Sequence, residues 1–174
     1  MNNNNQLTGG SGDVNPQYFN IRAFVMSGND TVTSTGYSLA IDRLRGNGVT
    51  VGVIEILKVF FYPVTLASNS SRNYFLSTKS FGTTAPSIAD GAIITAVTQV
   101  NLQATAVAIE LQNNPLVVDL SDAAGHGLLV ATDQIFMCAS SAGTSSTNAC
   151  DVKILYRYKN VPITEYIGIV QSQT

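Results

Sequence analysis

The sequence is poor in charge. Only 11% of its 174 residues are Asp, Glu, Lys or Arg, against about 25% in an average soluble domain. Ser, Thr, Asn and Gly supply the polar surface instead, so repulsion between copies is weak and self-association is favoured. Nine basic residues against eleven acidic ones leave a net charge of −2, and Lys and Arg nowhere form a run. That balance argues against a dedicated reader of nucleic acid, which shows a basic patch or tail. Trp is absent and aromatics make up 8%, which is little for the aromatic groove of a sugar-binding module. One histidine, His126, cannot build the His and Glu cluster of a cupin-type metalloenzyme. The two cysteines, Cys138 and Cys150, match no zinc or redox spacing. They flank the loop Ala139–Ala149, could face each other across a hairpin, and are expected as reduced thiols. No window reaches the roughly 18 uncharged apolar residues of a membrane helix. The first ten residues have neither the charge nor the apolar stretch of a signal peptide. The expectation is a chain made in a cytosol, with no membrane partner.

What is present is enough apolar sequence, 45%, to fill one core without metal or disulfide staples. Period-2 alternation of apolar residues begins at Gln17 and recurs in short segments bounded by Gly, Pro, Asn and Ser. Ser27-Gly28-Asn29-Asp30 and Gly46-Asn47-Gly48 read as turns, because Gly and Asn accept positive φ at low cost. Val49–Tyr62 is the longest apolar run. Its β-branched and aromatic residues predict a central strand that Pro63 ends. Further strands are expected over Arg72–Phe81, Ile93–Val100, Ala104–Leu111, Pro115–Leu120, Gly127–Ser140 and Asp151–Lys159. The Ala content of Ile88–Val100 also allows some helix there. No amphipathic helices alternate with these strands, so a parallel α/β sheet is excluded. The pattern predicts an all-β, single-domain, eight-stranded antiparallel β-sandwich of the jelly-roll type over residues 17–160. A flexible N-terminal arm is expected over residues 1–16 (MNNNNQLTGGSGDVNP) and a C-terminal arm over residues 161–174.

The last segments carry the most specific pattern. Leu128 to Met137 lead into a Ser/Thr/Gly loop, and Asp151-Val152-Lys153-Ile154-Leu155-Tyr156-Arg157-Tyr158-Lys159 follows. This resembles the final hairpin of single jelly-roll coat proteins of small icosahedral viruses. The tail Val161–Val170 and the opening Gln6-Leu7-Thr8-Gly9-Gly10 are similar to coat-like proteins of such viruses. The resemblance implies a structural capsid protein of the virion, made in the host cytoplasm, that self-assembles with copies of itself into an icosahedral shell around the genome. Many such proteins carry an Arg/Lys-rich N-terminal arm, and this chain has no basic residue in its first ten positions.

Few residues suggest chemistry. His126 lacks a G-x-S-x-G nucleophile partner, and one His with scattered Asp is thin for zinc. The expectation is therefore no enzyme and no catalytic residue. Asp119, Asp122 and Asp133 could offer oxygens to calcium, and the resemblance implies such an ion at subunit interfaces. Without it they are solvated loop carboxylates, and no other cofactor is expected. Lys153, Arg157 and Lys159 share one parity of the last strand. They are candidates for weak, non-specific contact with a viral genome, or else pair with Glu55 or Glu110. Ile163, Tyr166, Ile167, Ile169 and Val170 form an apolar tail that either closes the end of the sandwich or docks on a neighbouring subunit. The alternative function is a carbohydrate- or receptor-binding β-sandwich module of a phage or cell-surface assembly.

Overall fold

A computed structural model describes residues 16–25, 33–38, 50–63, 70–82, 84–104, 107–109, 115–142 and 148–173. The expected N-terminal arm therefore lies outside the described residues, except for Pro16, as do Glu110 and the turns at 27–30 and 46–48.

Among the described residues there are ten strands and one helix: β1 (Gln17–Val25), β2 (Thr33–Ser38), β3 (Thr50–Pro63), β4 (Ser70–Ser77), β5 (Ile93–Ala104), β6 (Val107–Ile109), β7 (Leu116–Asp119), β8 (Leu128–Val130), β9 (Gln134–Ala142), β10 (Asn148–Pro162) and α1 (Ile163–Ser172). They form two antiparallel sheets. The first has the order β1-β10-β3-β7, with β8 also paired to β3, and the second has the order β2-β9-β4-β5-β6. The chain changes sheet between β1 and β2, β2 and β3, β3 and β4, β6 and β7, β8 and β9, and β9 and β10. Such crossing connections make Greek keys, and two packed sheets built this way are a jelly roll. Each segment expected to be a strand holds one: β6 lies within Ala104–Leu111, β7 within Pro115–Leu120, and β8 and β9 divide Gly127–Ser140 between them.

The core lies between the sheets. Ile54, Ile56, Val59, Phe61, Val152 and Ile154 face Tyr74, Leu76, Ile94, Ile135, Met137 and Ala139 across it. The parity of β3 changes partway along, because the β3–β10 register shifts between Leu155 and Tyr156 and leaves Leu57 as an extra residue. Simple alternation puts Leu57 with Val59 and Phe61. The bulge instead puts Ile54 and Ile56 on the core face with them. The bulge also marks where β3 changes partner. Lys58–Phe61 pair with β7, Ile54–Ile56 pair with β8, and the Leu57 carbonyl accepts the Leu120 N–H at 2.9 Å.

Several sequence expectations need correction. The final two strands do not form a hairpin. β9 and β10 lie in opposite sheets, so the polar segment between them is a crossing connection, and Cys138 and Cys150 are buried thiols on different sheets, not joined by a disulfide. β1 and β2, the strands on either side of positions 27–30, likewise lie in opposite sheets and do not pair as a hairpin. Gly127–Ser140 is not one strand. The chain leaves the first sheet at Val130 and enters the second at Gln134, with the Thr132 hydroxyl bonded to the Gln134 carbonyl at 2.8 Å. Within the expected C-terminal arm, β10 runs on to Pro162 and α1 follows. The possible helix within Ile88–Val100 is also absent, since Ile93–Ala104 is all strand.

Pro162 caps the start of α1, where it has no N–H to leave unpaired. One side of the helix, Tyr166, Ile169 and Val170, covers Val53, Ala131 and Val161 on the outer face of the first sheet. Gln173 pins its end. The side chain donates to the Leu129 carbonyl and accepts the Ala131 N–H at 3.2 Å, and the Gln173 carbonyl accepts the Thr78 hydroxyl at 2.9 Å.

The tightest backbone approach is at Gly127. A Cβ there would lie 2.2 Å from the Ile56 carbonyl oxygen, and backbone cannot yield as a flexible side chain can. Gly127→Ala should therefore lower stability by about 2 kcal/mol, the range of overpacking in a tight site, measured by urea unfolding. Gly82→Ala, at φ +58° with open space around it, should cost about 1 kcal/mol. Equal losses at the two sites would contradict the close approach.

Candidate functional surfaces

The first sheet holds a charged cluster on its outer face. Glu55 on β3 stands opposite Arg157 on β10 in the ladder, and its side chain has no exposed surface. Its Oε2 accepts the Arg157 Nε–H, and its Oε1 accepts the Gly127 N–H at 2.9 Å and lies 3.5 Å from the Lys159 ammonium. Arg157 also donates from Nη2 to the Gly125 carbonyl at 3.1 Å. Burial pushes the Glu55 carboxyl up. The Arg157 hydrogen bond, the Gly127 N–H and the charges of Lys159 and Arg157 outweigh it and hold the group below its ordinary value of 4.5.

This cluster clamps the β7–β8 connection onto the sheet. Asp122 organises that loop from within. Its Oδ1 accepts the Ala124 and His126 N–H groups at 2.9 and 2.8 Å, and Gly125 takes φ +80° at the turn. His126 Nδ1 lies 3.3 Å from Asp122 Oδ2, and both side chains are more than half exposed. Burial pushes the Cys150 thiol up to about 12, which leaves it protonated and unreactive at neutral pH.

The candidate residues are thus dispersed. Asp119 pairs with Lys58 at 2.7 Å and with the Ser121 hydroxyl and N–H, which hold its carboxyl at about 2. Asp122 serves its own loop. Asp133 follows β8 on the other side of the sheet-to-sheet crossing. Among the described residues no three His, Cys, Asp or Glu side chains come together to hold a metal ion. Arg157 and Lys159 face the same carboxylate, Glu55. Lys153 stands over the Tyr18 ring, 4.2 Å from its centre, and Tyr18 leans on Phe60. Of the tail residues, Tyr166, Ile169 and Val170 pack on their own sheet, while Ile163 and Ile167, one helical turn apart, are each 50% exposed.

The sequence singled out Arg157 and Lys159, and named Glu55 only as an alternative partner. The clamp on Gly125 and Gly127 was not legible. Its one signal is a lone Glu inside the most apolar strand, since a buried carboxylate needs a partner.

No protein family matches the chain, and no curated protein matches it in sequence. Solved structures do. VP1 of Trichodysplasia spinulosa-associated polyomavirus, solved with sialylated glycooligomers and with 3'-sialyllactose, matches with TM-scores of 0.54 and 0.55 at 9% and 8% identity. VP1 of Merkel cell polyomavirus, solved with disialyllactose, matches with a TM-score of 0.52 at 10% identity. Each match covers 83% of this chain and 95% of the other. The fold is that of the jelly-roll capsid proteins.

Removing one partner of a buried ion pair leaves the other charge uncompensated. Glu55→Gln should lower stability by about 3 kcal/mol in urea unfolding at pH 7. Because the folded-state value is depressed, the stability from Glu55 is fully present above 4.5 and is lost as pH falls through the lowered value. The deficit of the variant should therefore hold steady near neutrality and shrink below 4.5. A deficit unchanged down to acid unfolding would mean that the charge of Glu55 is not what holds the loop.

Proposed function

We propose that this chain is a coat subunit of a virion, made in the host cytoplasm, that self-assembles into an icosahedral shell. The observation that supports it most is topology: two antiparallel sheets with Greek-key crossings, alike over 83% of the chain to capsid VP1 proteins. The low charge supports it too, since little electrostatic repulsion opposes close packing of copies. On this reading the role is structural rather than enzymatic. Ile163 and Ile167 on the outward side of α1 are the contacts we assign to a neighbouring subunit, while Tyr166, Ile169 and Val170 hold α1 to its own sheet. The genome is contacted weakly, through the outer face of the first sheet around Lys153.

A second reading, a receptor-binding β-sandwich, draws on the sialylated glycans with which three of these VP1 structures were solved. Saturation-transfer NMR with 3'-sialyllactose tests it, and it fails if no transfer to the sugar is seen.

A closed shell needs sixty copies or a multiple of that number, so at 18.4 kDa each light scattering at neutral pH should find a species of about 1.1 MDa or more. Ile163→Ser/Ile167→Ser should reduce that species and leave the unfolding midpoint nearly unchanged, because both side chains face outward. Tyr166→Ser should lower the midpoint as well, because it opens the packing under α1. A protein that stays monomeric or dimeric at high concentration across salt would remove the coat reading and favour the receptor-binding one.

A further inference from the structure

The outer face of the first sheet presents aromatic residues that the core does not use. On β3, Val59 and Phe61 point into the core. Phe60 and Tyr62 take the opposite parity and are half-buried on the outer face. In the ladder Phe60 stands opposite Lys153 of β10 on one side and Val117 of β7 on the other. From β1, the Tyr18 ring reaches over β10 to within 6.3 Å of the Phe60 ring, centre to centre. Tyr18 is 53% exposed at one side of this patch and Val117 52% at the other. The patch is therefore open across all four strands of the sheet.

One cation belongs to this patch. The Lys153 ammonium lies 4.2 Å from the centre of the Tyr18 ring, and among the described residues it makes no ion pair. The neighbouring charges are matched in sign. Lys58 pairs with Asp119 at 2.7 Å, and Asp151 stands opposite Arg22 in the β1–β10 ladder. What remains is a lone ammonium beside exposed rings. That combination fits the two halves of a nucleotide, because a ring stacks the base and an ammonium meets the phosphate. An open four-stranded sheet with aromatics on its face is also how one class of RNA-binding domain stacks two or three bases.

We infer that this face binds single-stranded nucleic acid by stacking unpaired bases on Tyr18 and Phe60, with a phosphate at Lys153. The inference rests on the coat reading and deepens its genome contact, since it names the state of the strand and the rings that hold it. A duplex hides the faces of its bases and is gripped through many phosphates, for which one unmatched cation is too few. A second copy of the chain is a poorer occupant. It would bury Lys58, Asp119, Asp151 and Lys153, whereas the cores of interfaces are depleted of charge. A sialylated sugar offers a carboxylate to Lys153, but sugars and other small ligands are held in concave sites, and this is an open sheet face.

The test is fluorescence anisotropy of a labelled oligo(dT) strand titrated with the protein, alone and annealed into a duplex. The single strand should bind, and the duplex should bind at least about fivefold more weakly, by the loss of one stacked base. Affinity should fall with salt at a log–log slope of about −0.7, the value for one phosphate on a single strand. Tyr18→Ala should weaken binding at least about fivefold while its unfolding midpoint stays near that of the wild type, because the side chain is half exposed. Phe60→Leu, which keeps apolar cover and removes the ring, should weaken binding as well. Lys153→Gln should flatten the salt slope. Ultraviolet cross-linking followed by mass spectrometry should place the oligonucleotide on the peptide that contains Tyr18. No binding of the single strand, equal binding of the duplex, or binding that Tyr18→Ala and Phe60→Leu leave unchanged would overturn the inference. Megadalton particles in the same preparation would then leave the coat reading standing. Stacking on Tyr18 in a protein that never exceeds a dimer would support the inference and overturn the shell. Saturation transfer to 3'-sialyllactose that Tyr18→Ala abolishes, with no binding of oligonucleotide, would overturn it in favour of the receptor-binding reading.

Discussion

The pairing of β3 with β10 sets the place of every other element. These are the two longest strands, fourteen and fifteen residues, and they meet along thirteen rungs broken by one bulge. β1 attaches to the free side of β10, β7 and β8 to the free side of β3, and α1 grows from the end of β10 back over the sheet it has just left. The bulge at Leu57 is the mechanical centre of this arrangement. It reverses the parity of β3 and so brings Ile54, Ile56, Val59 and Phe61 into one core. It also marks the point where β7 ends and β8 begins. The loop between them is held down by the Glu55–Arg157 pair and by the contact of Gly127 with the backbone of Ile56.

Much of this fold is legible in the sequence because period-2 alternation is a direct consequence of strand geometry. β3 is read almost to the residue, as Val49–Tyr62 against Thr50–Pro63, since β-branched and aromatic residues leave little else for it to be. The sandwich follows from the count of strands without helices between them. What alternation cannot reveal is which sheet a strand enters. Polar residues between β9 and β10 look like a hairpin turn, but a Greek-key crossing needs the same composition, and partner choice is decided by burial across the whole core. The break at Ala131-Thr132-Asp133 escapes for a similar reason, because no Gly or Pro marks it. α1 escapes because Ile163, Tyr166, Ile167, Ile169 and Val170 spread over both sides of a ten-residue helix, and only contact with Val53 and Val161 shows which side is inner.

The candidate sites were legible to a lesser degree. Parity correctly put Lys153, Arg157 and Lys159 on one face. The role of two of them as partners of Glu55 depends on the cross-strand register, which spacing alone does not fix. The acidic trio Asp119, Asp122 and Asp133 is close in sequence but divided by structure: one bonds Lys58, one its own loop, and the third lies beyond β8. The low overall charge proves more informative than any motif. Its division is uneven, with eight charged residues on the strands of the first sheet and one on those of the second.

The central claim is that this jelly roll is a unit of a closed shell. Negative-stain electron microscopy of the purified protein tests it most directly. The account predicts hollow, roundish particles of one or a few discrete diameters, because closed point-group assembly fixes the number of copies. Fields that hold only separate small particles, or open filaments with no closed form, would contradict it.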